Sequence, residues 1–330
     1  MEHYCTLFDL NYLPLGMALH KSLLRTGGDF QLWILCMDEG VEAALRKLDL
    51  PRIRLLPLRD LEAMFPDLVE VRKTRTRGEY CWTTTPFLPE AVLRIAPEIS
   101  RVTYVDADLF FFGSPTQILS EFEQSKAHVL LTEHAYTPDQ DHTDTTGRFC
   151  VQFMPFSNSE KALEILRWWQ DQCLRCCTSE VGGETFGDQK YLDEWPSRFG
   201  AAVHILRNAE LTLGPWNVRH LWKRGAPKGS YHFSGLRVFA GGETMMSPAE
   251  HTVAIPFRGM WNIYLPYIHA LRASWKTCKE HGVVFQLPPA PRNSFLLVRR
   301  FRRFLLRIQC WTRIDRGPWL SFCGWAPFEN

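Results

Sequence analysis

The chain has 330 residues, 45% of them hydrophobic and 22% charged. That is enough to bury the core of one large domain or two smaller ones, and it excludes a chain that is disordered throughout. The formal net charge of +2 is unevenly spread: eight Arg between Ala290 and Asn330 stand against Asp315 and Glu329, so this tail carries +6 and the rest −4. An acidic body argues against a nucleic-acid partner, and a basic tail points to an anionic surface. No window reaches the roughly eighteen uncharged apolar residues of a membrane-spanning helix. The start "MEHYCTLFDL" has no charged leader followed by a long apolar run. Ten cysteines without a paired zinc spacing ("CLRCC" at Cys173–Cys177 has no second CxxC) fit a reducing cytoplasm.

In chain order, "HYCTLFDL" predicts a first buried strand from His3 to Phe8. "LPLGMALHKSLLRTG" has helical periodicity and stops at Gly27-Gly28. "FQLWILCM" is a second strand, "EGVEAALRKLDL" a helix, "IRLLPL" a third strand and "LRDLEAMFPDL" a helix. This βαβαβ run is the pattern of an α/β fold, a mostly parallel sheet with helices on both faces. "TTPFLPEAVLRIAP" reads as another helix and leads into a strand at Val102–Val105; Phe110–Phe112 reads as a short strand returning to the core. After "HVLLTEH" comes the polar loop "AYTPDQDHTDTTG". "RFCVQFMPF" alternates like a half-buried strand, and "SEKALEILRWWQDQCLRCC" is a long helix. "QLPPAPRN" looks like a hinge, so a main domain over 1–285 and a tail over 286–330 are expected.

Asp106 and Asp108 follow the strand Val102–Val105, between two apolar runs. In open α/β sheets ligands bind beyond the carboxyl ends of the strands. Two carboxylates there are costly unless neutralised, and oxygen ligands at this spacing suit Mg²⁺ or Mn²⁺. The alternative is a turn or helix cap after a strand. A second D-x-D, Asp139 and Asp141, opens "DQDHTDTTG" but fails as a calcium loop: its sixth position is Asp144 and its twelfth Cys150. It reads as a solvated acidic loop or a mobile loop near an acceptor.

The order of motifs resembles the GT-A-fold glycosyltransferases, most of all the retaining family 8 type of bacterial polysaccharide and lipopolysaccharide assembly. The resemblance runs from about Tyr4 to Phe239 and rests on "LFDLNYLPLGMALHKSL", "YVDADLFFFGSP", "LRWWQDQCL", "FGDQKYLDEWP" and "YHFSG". It implies a UDP-sugar donor, transfer of a hexose with retention, and a Mn²⁺ or Mg²⁺ cofactor. Phe8, Asp9, Asn11 and Tyr12 fall where that family holds uracil and ribose; an Asx-capped turn is the alternative for Asp9 and Asn11. Asp106 and Asp108 would ligate the metal, with His232 as the third ligand. Gly235 follows in the same motif. Arg237 stands near the place of a phosphate-contacting Lys. Asp188 would hold sugar hydroxyls and Gln189 would face the anomeric carbon, although Asp188 could instead cap a helix. Cys150 and Gln152 stand where many relatives carry Asn and Gly near the sugar. Arg75 or Arg77 would replace an Arg that the family often carries before the metal strand.

In the tail, Leu297, Phe301, Phe304, Leu305 and Ile308 share one helical face, with Arg299, Arg300, Arg302, Arg303 and Arg307 on the other. That is the pattern of an interfacial helix on an anionic bilayer, which would suit a lipid-linked glycan acceptor; the alternative is a helix packed on the parent domain. The rival functions are a degenerate member that binds nucleotide or glycan without turnover, and a sugar-nucleotide pyrophosphorylase. The second normally shows a Gly-rich phosphate loop after the first strand, which "FDLNYLPLG" is not.

Overall fold

A computed structural model describes residues 1–180, 185–240, 243–245, 257–289 and 311–313. The amphipathic stretch Leu297–Ile308, and with it the membrane-docking expectation, lies outside the described residues. The central sheet contains β1 (Glu2–Phe8), β2 (Phe30–Cys36), β3 (Ile53–Pro57), β4 (Arg101–Val105), β6 (Val129–Glu133), β7 (Phe149–Cys150), β8 (Phe153–Ser157) and β9 (Val203–Ile205). A smaller sheet contains β5 (Leu109–Phe111), β10 (Thr212–Leu213) and β11 (Ser230–His232). The large sheet runs in the order β3-β2-β1-β4-β8-β6-β7, with β9 beside β6. Strands β1 to β4 are mutually parallel and β8 is antiparallel to both its neighbours. The α/β expectation therefore holds.

Strand periodicity explains the layers. Alternate residues point to opposite faces. Cys5, Leu7, Trp33 and Leu35 join one core, while Tyr4, Phe8, Leu32 and Ile34 join the other. Helices cover both faces, so the strands read as continuous apolar runs. The helix Leu13–Thr26 has Pro14 in its first turn, where a missing N–H costs nothing. The helix Glu39–Leu48 is capped by Asp38.

Three local expectations need correction. "LRDLEAMFPDL" is two helices, Leu58–Met64 and Asp67–Arg72, because Pro66 disfavours a helical conformation at Phe65. The helix expected from Thr84 starts at Phe87, after Pro86, and a separate helix, Arg77–Thr84, precedes it with a Thr76–Glu79 capping box. "RFCVQFMPF" is not one half-buried strand. It splits into β7 and β8 and is buried from Phe149 to Phe156, because β8 lies between β4 and β6 with both faces covered.

The two sheets meet just after β4. The chain turns at Asp106–Asp108 into β5, and β5 pairs antiparallel with β11, His232 opposite Leu109 and Ser230 opposite Phe111. The approach is tight at the far end of this pair. Phe112 and Gly113 both donate N–H to the Gly229 carbonyl, at 2.8 and 3.0 Å. A side chain at Gly229 would place Cβ 2.1 Å from the Leu211 carbonyl oxygen, and one at Gly113 would place it 1.9 Å from that of Lys228. Backbone cannot yield as a side-chain tip does. Behind β5 and β11 lies a third core of Phe110, Tyr231, Phe233, Tyr264 and Tyr267, closed by the helix Leu265–Glu280.

The substitution Gly229→Ala is expected to destabilise the protein by about 2 kcal/mol or more, as overpacking does. Denaturant unfolding of the variant checks this, and an unchanged midpoint would mean that β11 can shift without cost.

Candidate metal and nucleotide-sugar site

The metal motif is built by backbone hydrogen bonds. Asp106 donates its N–H to the Gln152 carbonyl of the β7–β8 connection at 3.1 Å. Leu109 N–H returns to the Asp106 carbonyl, also at 3.1 Å, closing a turn around Ala107 and Asp108. Phe233 N–H reaches the Asp108 carbonyl at 3.0 Å. The β5–β11 register thus delivers His232, only 7% exposed, beside both carboxylates. Its Nε2 lies 2.9 Å from Asp108 Oδ1 and 3.6 Å from Asp106 Oδ2. One ligand atom from each of Asp106, Asp108 and His232 falls within 4.8 Å of the others, the one such His, Cys, Asp or Glu cluster among the described residues. Two carboxylate oxygens and one imidazole nitrogen fit a divalent cation, and the imidazole favours Mn²⁺ over Mg²⁺.

The surroundings are strained electrostatically. Burial pushes Asp106 up to about 6, and neighbouring Asp108 adds to the rise against the pull of His232. Burial works against a charged His232, but the Asp108 carboxylate holds that imidazole well above the ordinary histidine range. The Tyr104 hydroxyl donates to Asp106 Oδ1 at 3.0 Å.

Asp188 lies within electrostatic reach of Asp106. It is only 6% exposed, and burial, followed by the charge of Asp106, pushes its carboxyl up to about 8. The Thr85 hydroxyl, whose hydrogen bond goes to the Cys81 carbonyl at 3.2 Å, stands near enough to Asp188 and Tyr104 to oppose part of their upward shifts. Trp169 Nε1 donates to the Asp188 carbonyl at 2.7 Å, locking the backbone there. The helix-cap alternative for Asp188 fails: the 3₁₀ helix is Lys190–Glu194, its cap position is Gln189, and no side chain caps it. Gln189 Nε2 donates to the Thr146 carbonyl at 2.8 Å, which fixes the amide's orientation.

The residues expected around the nucleotide are partly committed elsewhere. The Phe8 ring is 2% exposed and lies against Gly16 in the core. Asp9 caps the turn Leu10–Tyr12 through Tyr12 N–H, at 3.0 Å, and takes Arg77 Nε at 2.7 Å on its other oxygen. Arg77 also pairs with Asp38. Asn11 is clamped to the Gln286 backbone, accepting its N–H at 3.1 Å and donating to its carbonyl at 3.2 Å. Tyr12 is exposed. Gln152 is fully buried, with its amide nitrogen 3.5 Å from Thr132 Oγ1. Gly235, at φ 74°, takes the left-handed position in the turn that Leu236 N–H closes on the Phe233 carbonyl. Arg237 is exposed just beyond it, in a short strand Arg237–Val238. Of the two candidate arginines, Arg77 reaches the end of β1, whereas Arg75 donates to the Cys173 and Leu174 carbonyls of the helix Glu160–Arg175. Asp139 pairs with Arg219 and Asp141 caps Thr143, so neither joins the metal cluster.

Sequence reasoning missed Thr85, Tyr104 and Trp216. Tyr104 had a signal, since it lies two residues before Asp106 on one face of a strand. Thr85 and Trp216, whose ring stands edge-on to His232 at 5.3 Å, reach the site only through tertiary packing.

These elements define the GT-A fold of the glycosyltransferases. The chain aligns with the galactosyltransferase LgtC, solved with donor and acceptor sugar analogs, at TM-score 0.51 and 13% identity, covering 86% of this chain and 98% of that one. It aligns with the apo form of the glycosyltransferase GlyE of Streptococcus pneumoniae TIGR4 at TM-score 0.50 and 15% identity, covering 85% of this chain and 63% of that one. No protein-family model matches the chain. The chain belongs to the same family as the uncharacterized protein YfnF of Bacillus subtilis (strain 168), with 33% identity over 283 residues, 80% of this chain and 92% of that protein. A second protein of that organism, the uncharacterized YfnD, is 29% identical over 288 residues. No described helix is long and apolar enough to cross a membrane.

The raised carboxyl of Asp188 makes a pH prediction. A group held above its unfolded value stabilises the fold in its protonated form. That contribution is complete below about pH 4 and is lost as the pH rises through about 8. In chelator, the protein should therefore lose stability between about pH 5 and 8.5, and Asp188→Asn should flatten that slope. Thermal midpoints across pH for both proteins test it; parallel curves would refute a buried, neutral Asp188.

Proposed function

We propose that this chain is a metal-dependent glycosyltransferase. It moves a hexose from a UDP-sugar, with retention of anomeric configuration, to a glycan acceptor in cell-surface polysaccharide or lipopolysaccharide assembly. The observation that carries the reading is the convergence of Asp106, Asp108 and His232 beyond the carboxyl end of β4, with buried Asp188 within electrostatic reach of Asp106.

Asp106, Asp108 and His232 would hold the cation. A divalent cation supplies Lewis-acid neutralisation of a departing diphosphate. Asp188 would take hydroxyls of the donor sugar; the hold of Trp169 on its carbonyl fixes its backbone before substrate arrives. The Gln189 amide, tied to Thr146, would present its carbonyl oxygen toward an oxocarbenium-like centre, where a fixed dipole stabilises developing charge without rearrangement. Arg77 and Asp9 at the end of β1 would border the nucleoside, and Gly235 and Arg237 would border the diphosphate. The basic tail over 286–330 would dock on an anionic inner membrane face and bring the enzyme to a lipid-linked acceptor.

Calorimetric titration of UDP with and without Mn²⁺ tests the metal role. Binding should depend on Mn²⁺, and the double variant Asp106→Ala/Asp108→Ala should lose that dependence. Tight binding without metal in the double variant would sink the reading. Asp188→Asn should lower turnover about 10²- to 10³-fold, the size of losing one preorganised polar contact to the reacting centre, while leaving the UDP affinity nearly unchanged. A wild-type protein that binds UDP-sugars and never turns over any of a broad panel would instead be a silent binding member.

A further inference from the structure

His232 offers its two ring nitrogens to different partners. Nε2 faces the carboxylates, 2.9 Å from Asp108 Oδ1. Nδ1 faces the Cys150 sulfur at 3.8 Å, a hydrogen-bonding distance for sulfur. The thiol therefore sits on the opposite side of the ring from the cluster, and it is not among the three groups that could hold the cation. Cys150 is 2% exposed and His232 7%, so neither relies on bulk water for a partner.

A neutral imidazole has one N–H and one lone pair, and which nitrogen holds the proton is set by what the other nitrogen meets. Nε2 can ligate a cation only when the proton is on Nδ1, and a buried Nδ1–H needs an acceptor. In the cation-free site Nε2–H donates to Asp108, and a ring protonated beside that carboxylate still carries an Nδ1–H that needs the same acceptor. The Cys150 sulfur, a weak acceptor, serves it in both states. Cys150 is held in place by β7: it pairs with Thr132 of β6, whose hydroxyl donates to the Cys150 carbonyl at 3.2 Å. Trp216, edge-on to His232, fixes the plane of the ring.

We propose that Cys150 is a positioning residue for His232, its sulfur accepting Nδ1–H and so keeping Nε2 turned toward the carboxylates and the cation. On cation binding the ring releases its Nε2 proton to solvent and keeps the one on Nδ1, while the thiol proton stays on sulfur. The proposal rests on the reading of Asp106, Asp108 and His232 as a cation site. It also assigns Cys150 to the metal side of the site, not to the sugar.

The test is Mn²⁺ affinity of the full-length protein, read from the electron paramagnetic resonance signal of free Mn²⁺, with Mg²⁺ measured by competition. Wild type is compared with Cys150→Val, Cys150→Ala, Cys150→Ser and Asp108→Ala, each checked for folding by circular dichroism. Valine and alanine should weaken Mn²⁺ binding about 10- to 100-fold, the usual effect of removing a partner behind a metal-binding histidine. Serine, which keeps both donor and acceptor, should restore most of the affinity. Mg²⁺ should suffer less than Mn²⁺, because imidazole contributes less to its binding. If valine does not fold, alanine carries the comparison. Wild-type Mn²⁺ affinity in the alanine variant would overturn the proposal, as would a serine variant no better than alanine, or equal losses for the two metals. If wild type binds no Mn²⁺, or binds it as Asp108→Ala does, the cation reading fails and this proposal with it. Mn²⁺ binding that depends on Asp108 and ignores Cys150 would leave the cation reading standing alone.

Discussion

The antiparallel pairing of β5 with β11 is the constraint on which the site depends. Asp106 and Asp108 lie in the turn before β5, and His232 ends β11, far along the chain. No local preference could bring them together; the ladder does it, with Phe233 N–H on the Asp108 carbonyl as its last rung. The pairing is possible only because Gly113 and Gly229 leave room for backbone where any side chain would collide. It is held from behind by aromatic packing, with Phe233 stacked on Tyr267 at 3.6 Å between ring centres and Phe110 edge-on to the same ring. Tyr267 belongs to the helix Leu265–Glu280, so the integrity of the site is tied to a helix that contributes no candidate ligand to it.

The same geometry creates an electrostatic deficit. Asp106, Asp108 and Asp188 share one poorly solvated region, and His232 can bring at most one positive charge to it. The shifts of Asp106 to about 6 and Asp188 to about 8 are the response expected when like charges are crowded under partial burial. A cation would reverse that response, since it favours every ionised carboxylate near it. Strained polar groups cluster where a protein gives up stability for chemistry. Here Asp106 and Asp188 are such groups, while the acidic groups at the end of β1 are already neutralised, Asp9 and Asp38 both by Arg77.

Much of this was legible in the sequence, and the reason differs by element. Strands β1, β2 and β4 were readable because both their faces are buried, which leaves long apolar runs punctuated by turn residues. Asp106 and Asp108 were readable because a charged pair between such runs has few bland explanations. His232 was reached only through the resemblance of "YHFSG", since nothing near it in the chain signals a ligand. The apparent alternation of "RFCVQFMPF" misled, because Gln152 and Cys150 are small or polar yet fully enclosed, one at the sheet junction and one behind His232. Thr85 was invisible for the same reason: its meaning lies in Asp188 and Tyr104, which folding alone brings to it.

Asn11 illustrates where a motif position and a structural duty compete. Its amide makes two hydrogen bonds to the backbone of Gln286, a pairing that copies one rung of a β ladder. The segment it holds is anchored on both sides, by Phe285 stacked on Trp275 at 4.6 Å and by Ala240 N–H on the Pro288 carbonyl. A side chain with both of its polar ends engaged has little left to offer a nucleoside, and releasing it would leave the Gln286 backbone groups to find other partners. The neighbouring Asp9 differs, because its partner Arg77 has a side chain 58% exposed that can exchange this contact for solvent. At the end of β1, then, the groups able to answer a ligand are Asp9, Arg77 and exposed Tyr12, while Asn11 fastens the C-terminal segment across the body of the domain.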